Sequence, residues 1–164
     1  MKTVVFCRHA KSDWPDGTSD IERPLKKRGI ENAKQMGSLL ADHQFLPDRI
    51  ISSPAKRAMT TANLVAEKLN YPSEISIIPS IYHEGAGNLM SLVQELDPAW
   101  DTVMFFGHNP TMEQTVRFLL QADKHYEMPT GGMACFESYA GWEQFVNTCQ
   151  LRWLLVPRLR RKDE

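Results

Sequence analysis

Thr3-Val4-Val5-Phe6-Cys7-Arg8-His9 is an apolar run that ends abruptly in a cation and an imidazole, followed by Ala10-Lys11-Ser12. A short apolar run without polar alternation fits a strand buried on both faces, as in a parallel sheet. Open α/β sheets place ligands outside the carboxyl ends of their strands, so Arg8 and His9 stand where a site belongs. Alone the pair is weak, because a histidine after a strand more often serves as a surface or hydrogen-bonded structural residue.

Two further junctions repeat the pattern: Ile50-Ile51-Ser52-Ser53-Pro54-Ala55-Lys56-Arg57 and Val103-Met104-Phe105-Phe106-Gly107-His108-Asn109-Pro110. In each, an apolar run passes through small or polar residues to a proline, which favours the first helical position, so helices are expected to begin at Pro54 and Pro110. With Ser53 as N-cap, Arg57 lies just past the first turn and can swing back over the strand ends. His108 ends its strand or begins the loop. If the three strands are parallel neighbours, Arg8, His9, Arg57 and His108 converge on one edge of the sheet.

The rest of the chain supports that arrangement. Helical stripes are expected from about Ile30, over 54–69, 88–96 and 110–121, with strands at 48–52, 74–78 and 102–107 between them. Residues 12–27 are rich in turn formers and read as a loop beside the site. The chain closes with strand-like runs near 133–138 and 149–156, joined without a helical pattern. This alternation implies a single domain over residues 1–164: an α/β, three-layer α/β/α sandwich whose central sheet is mainly parallel, with one antiparallel element.

Composition narrows the function classes. The 19 basic and 20 acidic residues give a net charge of −1, which argues against a general affinity for nucleic acid or anionic membranes. No apolar run approaches a signal-peptide core or a membrane span, so the cytoplasm is the expected location. Cys7, Cys135 and Cys149 lack metal-ligand spacing and read as reduced core thiols. The basic tail Arg158-Leu159-Arg160-Arg161-Lys162 reads as a solvated terminus.

Two arginines and a histidine around a second histidine suit a phosphoryl group. Guanidinium offers planar bidentate donors and keeps its charge. A central imidazole held neutral by neighbouring cations can attack phosphorus, and water can then discharge the phosphohistidine. The chain shows neither a carboxylate cluster at metal spacing nor a glycine-rich phosphate loop, so no metal and no cofactor is expected.

Arg8-His9-Ala10 resembles the R-H-G motif of the histidine phosphatase superfamily, with alanine in place of glycine. Ser53-Pro54-Ala55-Lys56-Arg57-Ala58 is similar to its S-P-x-x-R-A segment, and Gly107-His108-Asn109-Pro110 to its G-H-N-P segment. Arg23-Pro24-Leu25-Lys26-Lys27-Arg28-Gly29 resembles the R-P-L-x-x-R-G stretch of the small SixA-type phosphohistidine phosphatases. The resemblance implies a phosphoglycerate mutase-like fold, His9 as the phosphorylated nucleophile, and a phosphate pocket of Arg8, Arg57 and His108. Arg23 is then a further phosphate or substrate contact, or a surface salt bridge. Ser12 donates a hydroxyl to phosphate or caps the loop, and Asn109 joins the substrate-binding set. Arg28 is assigned a structural role.

Many members of the superfamily place a carboxylate after the third strand as general acid. Glu84 is the candidate here, with helix capping or solvation as its other reading and His83 as an alternative. A labile P–N bond needs such an acid less than an alkyl ester does. The link from Pro79 to Asn88 is short, which suggests an open site able to admit a side chain presented by another protein. The substrate implied is phosphohistidine in a partner protein, such as a histidine phosphotransfer domain. The alternatives are a small-molecule phosphomonoesterase and a non-catalytic phosphate-binding module.

Overall fold

The computed structural model describes residues 1–121 and 126–158; the basic tail beyond Arg158 lies outside them. Strand β1 (Lys2–Arg8) divides its side chains between two cores, Val4 and Phe6 entering one, Val5 and Cys7 the other. Successive strand residues point to opposite faces, so this division makes β1 a central strand. Residues 102–107 repeat it, with Val103 and Phe105 set against Met104 and Phe106. All of these side chains are fully buried, which explains why both segments read as continuous apolar runs.

With β2 (Arg49–Ser52), β3 (Ser76–Ile77), β4 (Thr102–Gly107), β5 (Met133–Ser138) and β6 (Gln150–Leu155), the sheet has six strands in the order β3-β2-β4-β1-β5-β6. Strands β1 to β4 pair in parallel. Strand β5 lies antiparallel to both β1 and β6, so it alone among the described strands runs against the rest. Helices α1 (Lys27–Asp42) and α2 (Lys56–Lys68) cover one face with Met36, Leu40, Ala62 and Val65. On the other face, one-turn α3 (Ser80–His83) leads into α4 (Ala86–Gln94), which packs beside α5 (Thr111–Leu120) and α6 (Trp142–Thr148). The result is the three-layer α/β/α sandwich with one antiparallel element.

The structure differs from the sequence reading at element ends. Helix α2 begins at Lys56 and α5 at Thr111, later than Pro54 and Pro110. Ser53 is not the N-cap of α2; it belongs to the turn off the sheet, where its Oγ accepts the Ala55 amide at 3.2 Å. Its own amide donates to Phe106 O at 3.0 Å, which prolongs the strand contact through Ser53 and delays the helix. Helix α1 starts at Lys27 rather than Ile30, because the Lys26 amide is fixed by Lys11 O at 2.9 Å. The expected strand at 74–78 shrinks to Ser76–Ile77, an exposed edge that pairs with β2. Helix α6 appears between the last two strands, where no helix was expected. Its buried anchors are Trp142 and Phe145, and seven residues are too few for a helical stripe to show.

Residues 12–27 are held to the domain rather than hanging from it. Ser12 and Leu25 form an antiparallel bridge, Asp20–Glu22 makes a 3-10 turn, and Leu25 packs with Ala10 and Ala33. Gly29 sits where α1 presses on this loop, and a Cβ there would run into the carbonyl oxygen of Lys11. Gly29→Ala is therefore expected to cost about 1–3 kcal/mol of stability through overpacking, measured by urea unfolding. Cys7 and Cys135 are buried free thiols and Cys149 is a half-buried one. Among the described residues, no helix is long and apolar enough to cross a membrane.

Candidate active site

The parallel pairing of β1 with β4 places Arg8 opposite Gly107, and the His9 amide continues the ladder by donating to Gly107 O at 3.0 Å. On the other side the Gly131 amide donates to His9 O at 2.9 Å, and the Arg8 amide to Gly132 O at 3.0 Å. Gly131 has φ +73, a left-handed conformation that glycine adopts without strain. The main chain of the Arg8-His9 step is thus fixed from both flanking strands. Ala10 is fully buried and its amide donates to Thr61 Oγ1 at 3.0 Å, tying the step to α2.

The four residues do converge. The His9 and His108 rings lie 5.3 Å apart between centroids, and the Tyr82 ring meets His108 edge-on at 5.7 Å. His9 Nδ1 lies 2.8 Å from Ala10 O. A carbonyl can only accept, so Nδ1 carries the proton and Nε2 presents its lone pair. His108 Nε2 lies 2.7 Å from Ser53 Oγ, which explains why the serine before the proline belongs to the site. Arg57 reaches back from α2 and is buried, 6% exposed. Its Nη1 donates to Asp20 O at 2.6 Å and its Nη2 to Asp20 Oδ2 at 3.1 Å. Arg8 Nη1 donates to Met128 O at 2.8 Å.

Three buried nitrogens in this group have no hydrogen-bond partner among the described residues: Arg8 Nε, Arg57 Nε and His108 Nδ1. Arg8 Nε and Arg57 Nε can only donate, and buried donors are almost always satisfied, so two such orphans beside an unpartnered imidazole nitrogen mark a place for an acceptor. The cluster is cationic and can receive a tetrahedral oxyanion. Among the described residues, no group of three or more His, Cys, Asp or Glu side chains is placed to hold a metal ion.

Both imidazoles are held neutral at pH 7. The His9 pKa is pushed down to about 3, first by burial and then by His108, Arg57 and Arg8, against the opposing bond to Ala10. His108 is pushed down to about 4 by burial, then by Arg57. The neutrality expected from neighbouring arginines is present, but desolvation is its larger cause. Because both folded values lie below the ordinary 6.5, the unfolded chain binds more protons between about pH 4 and 6.5. Stability from the neutral rings is complete above about 6.5 and is lost as pH falls toward those folded values. The urea midpoint is expected to drop from about pH 7 to pH 4, and more steeply than in a His9→Gln/His108→Gln variant.

The remaining sequence candidates are placed as follows. Arg23 donates from Nη1 to Asp20 Oδ1 at 3.3 Å, from Nη2 to Ser12 Oγ at 2.8 Å, and from Nε to Asp13 O at 3.1 Å. It is joined to Arg57 through the shared Asp20 carboxylate, and the Ser12 hydroxyl is engaged by Arg23. Asn109 Nδ2 donates to Glu113 Oε2 and to Met128 O, both at 3.1 Å, and its Oδ1 accepts the Glu113 amide at 3.3 Å. That side chain closes the start of α5 and holds the segment that meets Arg8. Glu84 and His83 are exposed, and the Glu84 main-chain oxygen accepts from Thr111 Oγ1 at 3.3 Å.

Sequence reading missed Asp20 and Tyr82. Tyr82 donates its hydroxyl to Asp20 Oδ2 at 2.7 Å. That bond, followed by the arginine contacts, holds Asp20 at a pKa of about 2, well below the usual carboxylate range. An aspartate among turn formers carries no local mark of such a role. Its spacing three residues before Arg23 was the one available signal.

Comparison with known proteins agrees with this geometry. The sequence profile of the histidine phosphatase superfamily (branch 1) matches residues 4–114, about two thirds of the chain. The structure of a protein from Agrobacterium tumefaciens assigned as the phosphohistidine phosphatase SixA superposes with a TM-score of 0.83 at 29% identity, covering 95% of this chain and 98% of that one. A protein histidine phosphatase SixA solved with tungstate has the same fold, with a TM-score of 0.83 at 24% identity, covering 94% and 97% of the two chains. A 2,3-bisphosphoglycerate-dependent phosphoglycerate mutase of Mycobacterium bovis is 30% identical over 149 residues, which cover 79% of this chain and 57% of the mutase. With Arg8-His9, Arg57 and His108 gathered at the strand ends in this family's order, the chain belongs to the histidine phosphatase superfamily, in its small SixA-type branch, and is a phosphatase.

Proposed function

We propose that this phosphatase works without a metal, through a phosphohistidine on His9, and that it removes phosphate from phosphohistidine in a partner protein. The observation that carries this reading is a neutral His9 with Nε2 unprotonated, beside the unpartnered nitrogens of Arg8, Arg57 and His108. Arg8 and Arg57 bind the phosphoryl oxygens. In this mechanism the Ser53 hydroxyl, 2.7 Å from His108 Nε2, donates to it, and the neutral His108 ring then carries its proton on Nδ1 and offers it to the same group.

In the first step a bond forms between His9 Nε2 and phosphorus while the substrate P–N bond breaks, and the departing imidazole takes up a proton. Water then attacks phosphorus and loses a proton while the His9 Nε2–P bond breaks, its electron pair returning to Nε2, which releases inorganic phosphate and restores His9. Charge on the equatorial oxygens changes little in location between the two steps, so one set of fixed cations serves both.

The link after β3 supports this substrate class. It folds as α3 and the first turn of α4, with Ile81 buried and Tyr82 against His108, and adds no further layer over the strand ends. Glu84 is exposed, unlike the buried cluster in which a general acid for an alkoxide would have to act. The assignment of the Agrobacterium protein and the tungstate held by a related fold support the same reading.

The test is hydrolysis of a phosphohistidine-bearing protein and of alkyl phosphates, with and without EDTA. The expected result is a preference for phosphohistidine that EDTA leaves unchanged. Strict metal dependence would end the mechanism, whereas preference for alkyl esters would end only the substrate assignment. Glu84→Gln is expected to change phosphohistidine hydrolysis by less than about threefold, against the roughly 10²–10⁴-fold loss that removal of a general acid brings.

A further inference from the structure

Asp20 joins three separate segments through one carboxylate. Its Oδ2 accepts from Arg57 Nη2 on α2 at 3.1 Å and from the Tyr82 hydroxyl on α3 at 2.7 Å, while its Oδ1 accepts from Arg23 Nη1 at 3.3 Å. Its main-chain oxygen accepts from Arg57 Nη1 at 2.6 Å. Both terminal nitrogens of the Arg57 guanidinium are therefore gripped by a single residue, and Nε is left buried with no partner among the described residues.

A guanidinium presents its hydrogens in one rigid plane. Held along its terminal edge, it keeps the Nε hydrogen and the second Nη2 hydrogen on the adjacent edge, side by side and free for two oxygens of one anion. The geometry points to Asp20 as the positioning residue that sets the Arg57 guanidinium plane for the phosphoryl group, an inference that rests on reading Arg57 as a phosphate ligand. A carboxylate that merely stood in for the anion would leave when phosphate arrives. Asp20 also holds Arg57 through the main chain of a 3-10 turn, and that contact cannot swing away without moving the turn. Tyr82 acts at one remove, because its hydroxyl fixes the same Oδ2 and its ring abuts His108.

The test is tungstate binding by calorimetry to the full chain and to Asp20→Ala, Asp20→Asn, Arg57→Ala, Arg57→Lys and combined variants. Asp20→Ala is expected to weaken tungstate binding by roughly 10- to 100-fold, and Asp20→Asn by less, since asparagine keeps one side-chain acceptor while the main-chain carbonyl is present in both variants. Asp20→Ala/Arg57→Ala should bind no more than about threefold more weakly than Arg57→Ala alone, because Asp20 acts through that side chain. Asp20→Asn should have no effect in an Arg57→Lys background, where no fork remains to be oriented.

Losses that add in the double variant, an equal Asp20→Asn effect in both backgrounds, or unchanged or tighter binding by Asp20→Ala would each overturn the inference. If Asp20→Ala does not fold, Asp20→Asn carries the comparison. Absence of turnover on every phosphate substrate would defeat the proposed function while tungstate still reported on Asp20. A wild-type protein that does not bind tungstate would defeat both.

Discussion

His9→Ala is expected to lower turnover of a phosphohistidine substrate by at least about 10⁴-fold while the protein stays folded. Removing a nucleophile abolishes the covalent route, and what survives is the slow reaction assisted by binding alone. The fold should persist because the bonds at this position are made by the main chain: the amide to Gly107 O at 3.0 Å and the carbonyl to the Gly131 amide at 2.9 Å. The imidazole is buried, 7% exposed, so its loss also relieves the penalty of keeping a titratable ring out of water at low pH. Stopped-flow or discontinuous phosphate release, compared at equal circular dichroism, makes the measurement. A variant as active as wild type would mean that another group carries the phosphoryl.

Arg57→Ala is the second large effect, an expected loss of about 10²–10³-fold in kcat/KM, the cost of removing one preorganised donor at a charged transition state. Arg57→Lys should recover little of it. Lysine offers a point charge at the end of a flexible stem, whereas this position uses a planar fork whose terminal edge is already committed to Asp20. The variant also leaves the Asp20 carboxylate with Tyr82 and Arg23 only, so a modest fall in stability is expected alongside. Equal kcat/KM for the lysine and wild-type proteins would show that charge alone suffices.

The layers of the fold were legible because β1 and β4 are buried on both faces, and such strands announce themselves as short apolar runs ended by polar residues. Their carboxyl ends held Arg8, His9 and His108, so the strand reading also located the candidate site. Arg57 followed from its place just inside a helix after a Ser-Pro turn, although that helix starts at Lys56 rather than Pro54. Asp20 and Tyr82 were not legible. Each acts by reaching a segment far away in sequence, 37 residues from Asp20 to Arg57 and 62 from Asp20 to Tyr82, and no local pattern records such a contact. Helix α6 escaped for a different reason, since two buried aromatics three residues apart do not distinguish a helix from a turn. The cause of His9 neutrality was only half legible: neighbouring arginines can be read from a motif, but burial is a property of the packed chain.

The most direct measurement is a millisecond alkaline denaturing quench of enzyme caught with a phosphohistidine substrate, followed by peptide mass spectrometry, since phosphohistidine survives base. Phosphate on the peptide containing His9, appearing and decaying at the rate of turnover, is the expected result. Phosphate on His108 instead, or turnover with no enzyme-bound phosphate at any time, would contradict the assignment of His9 as nucleophile.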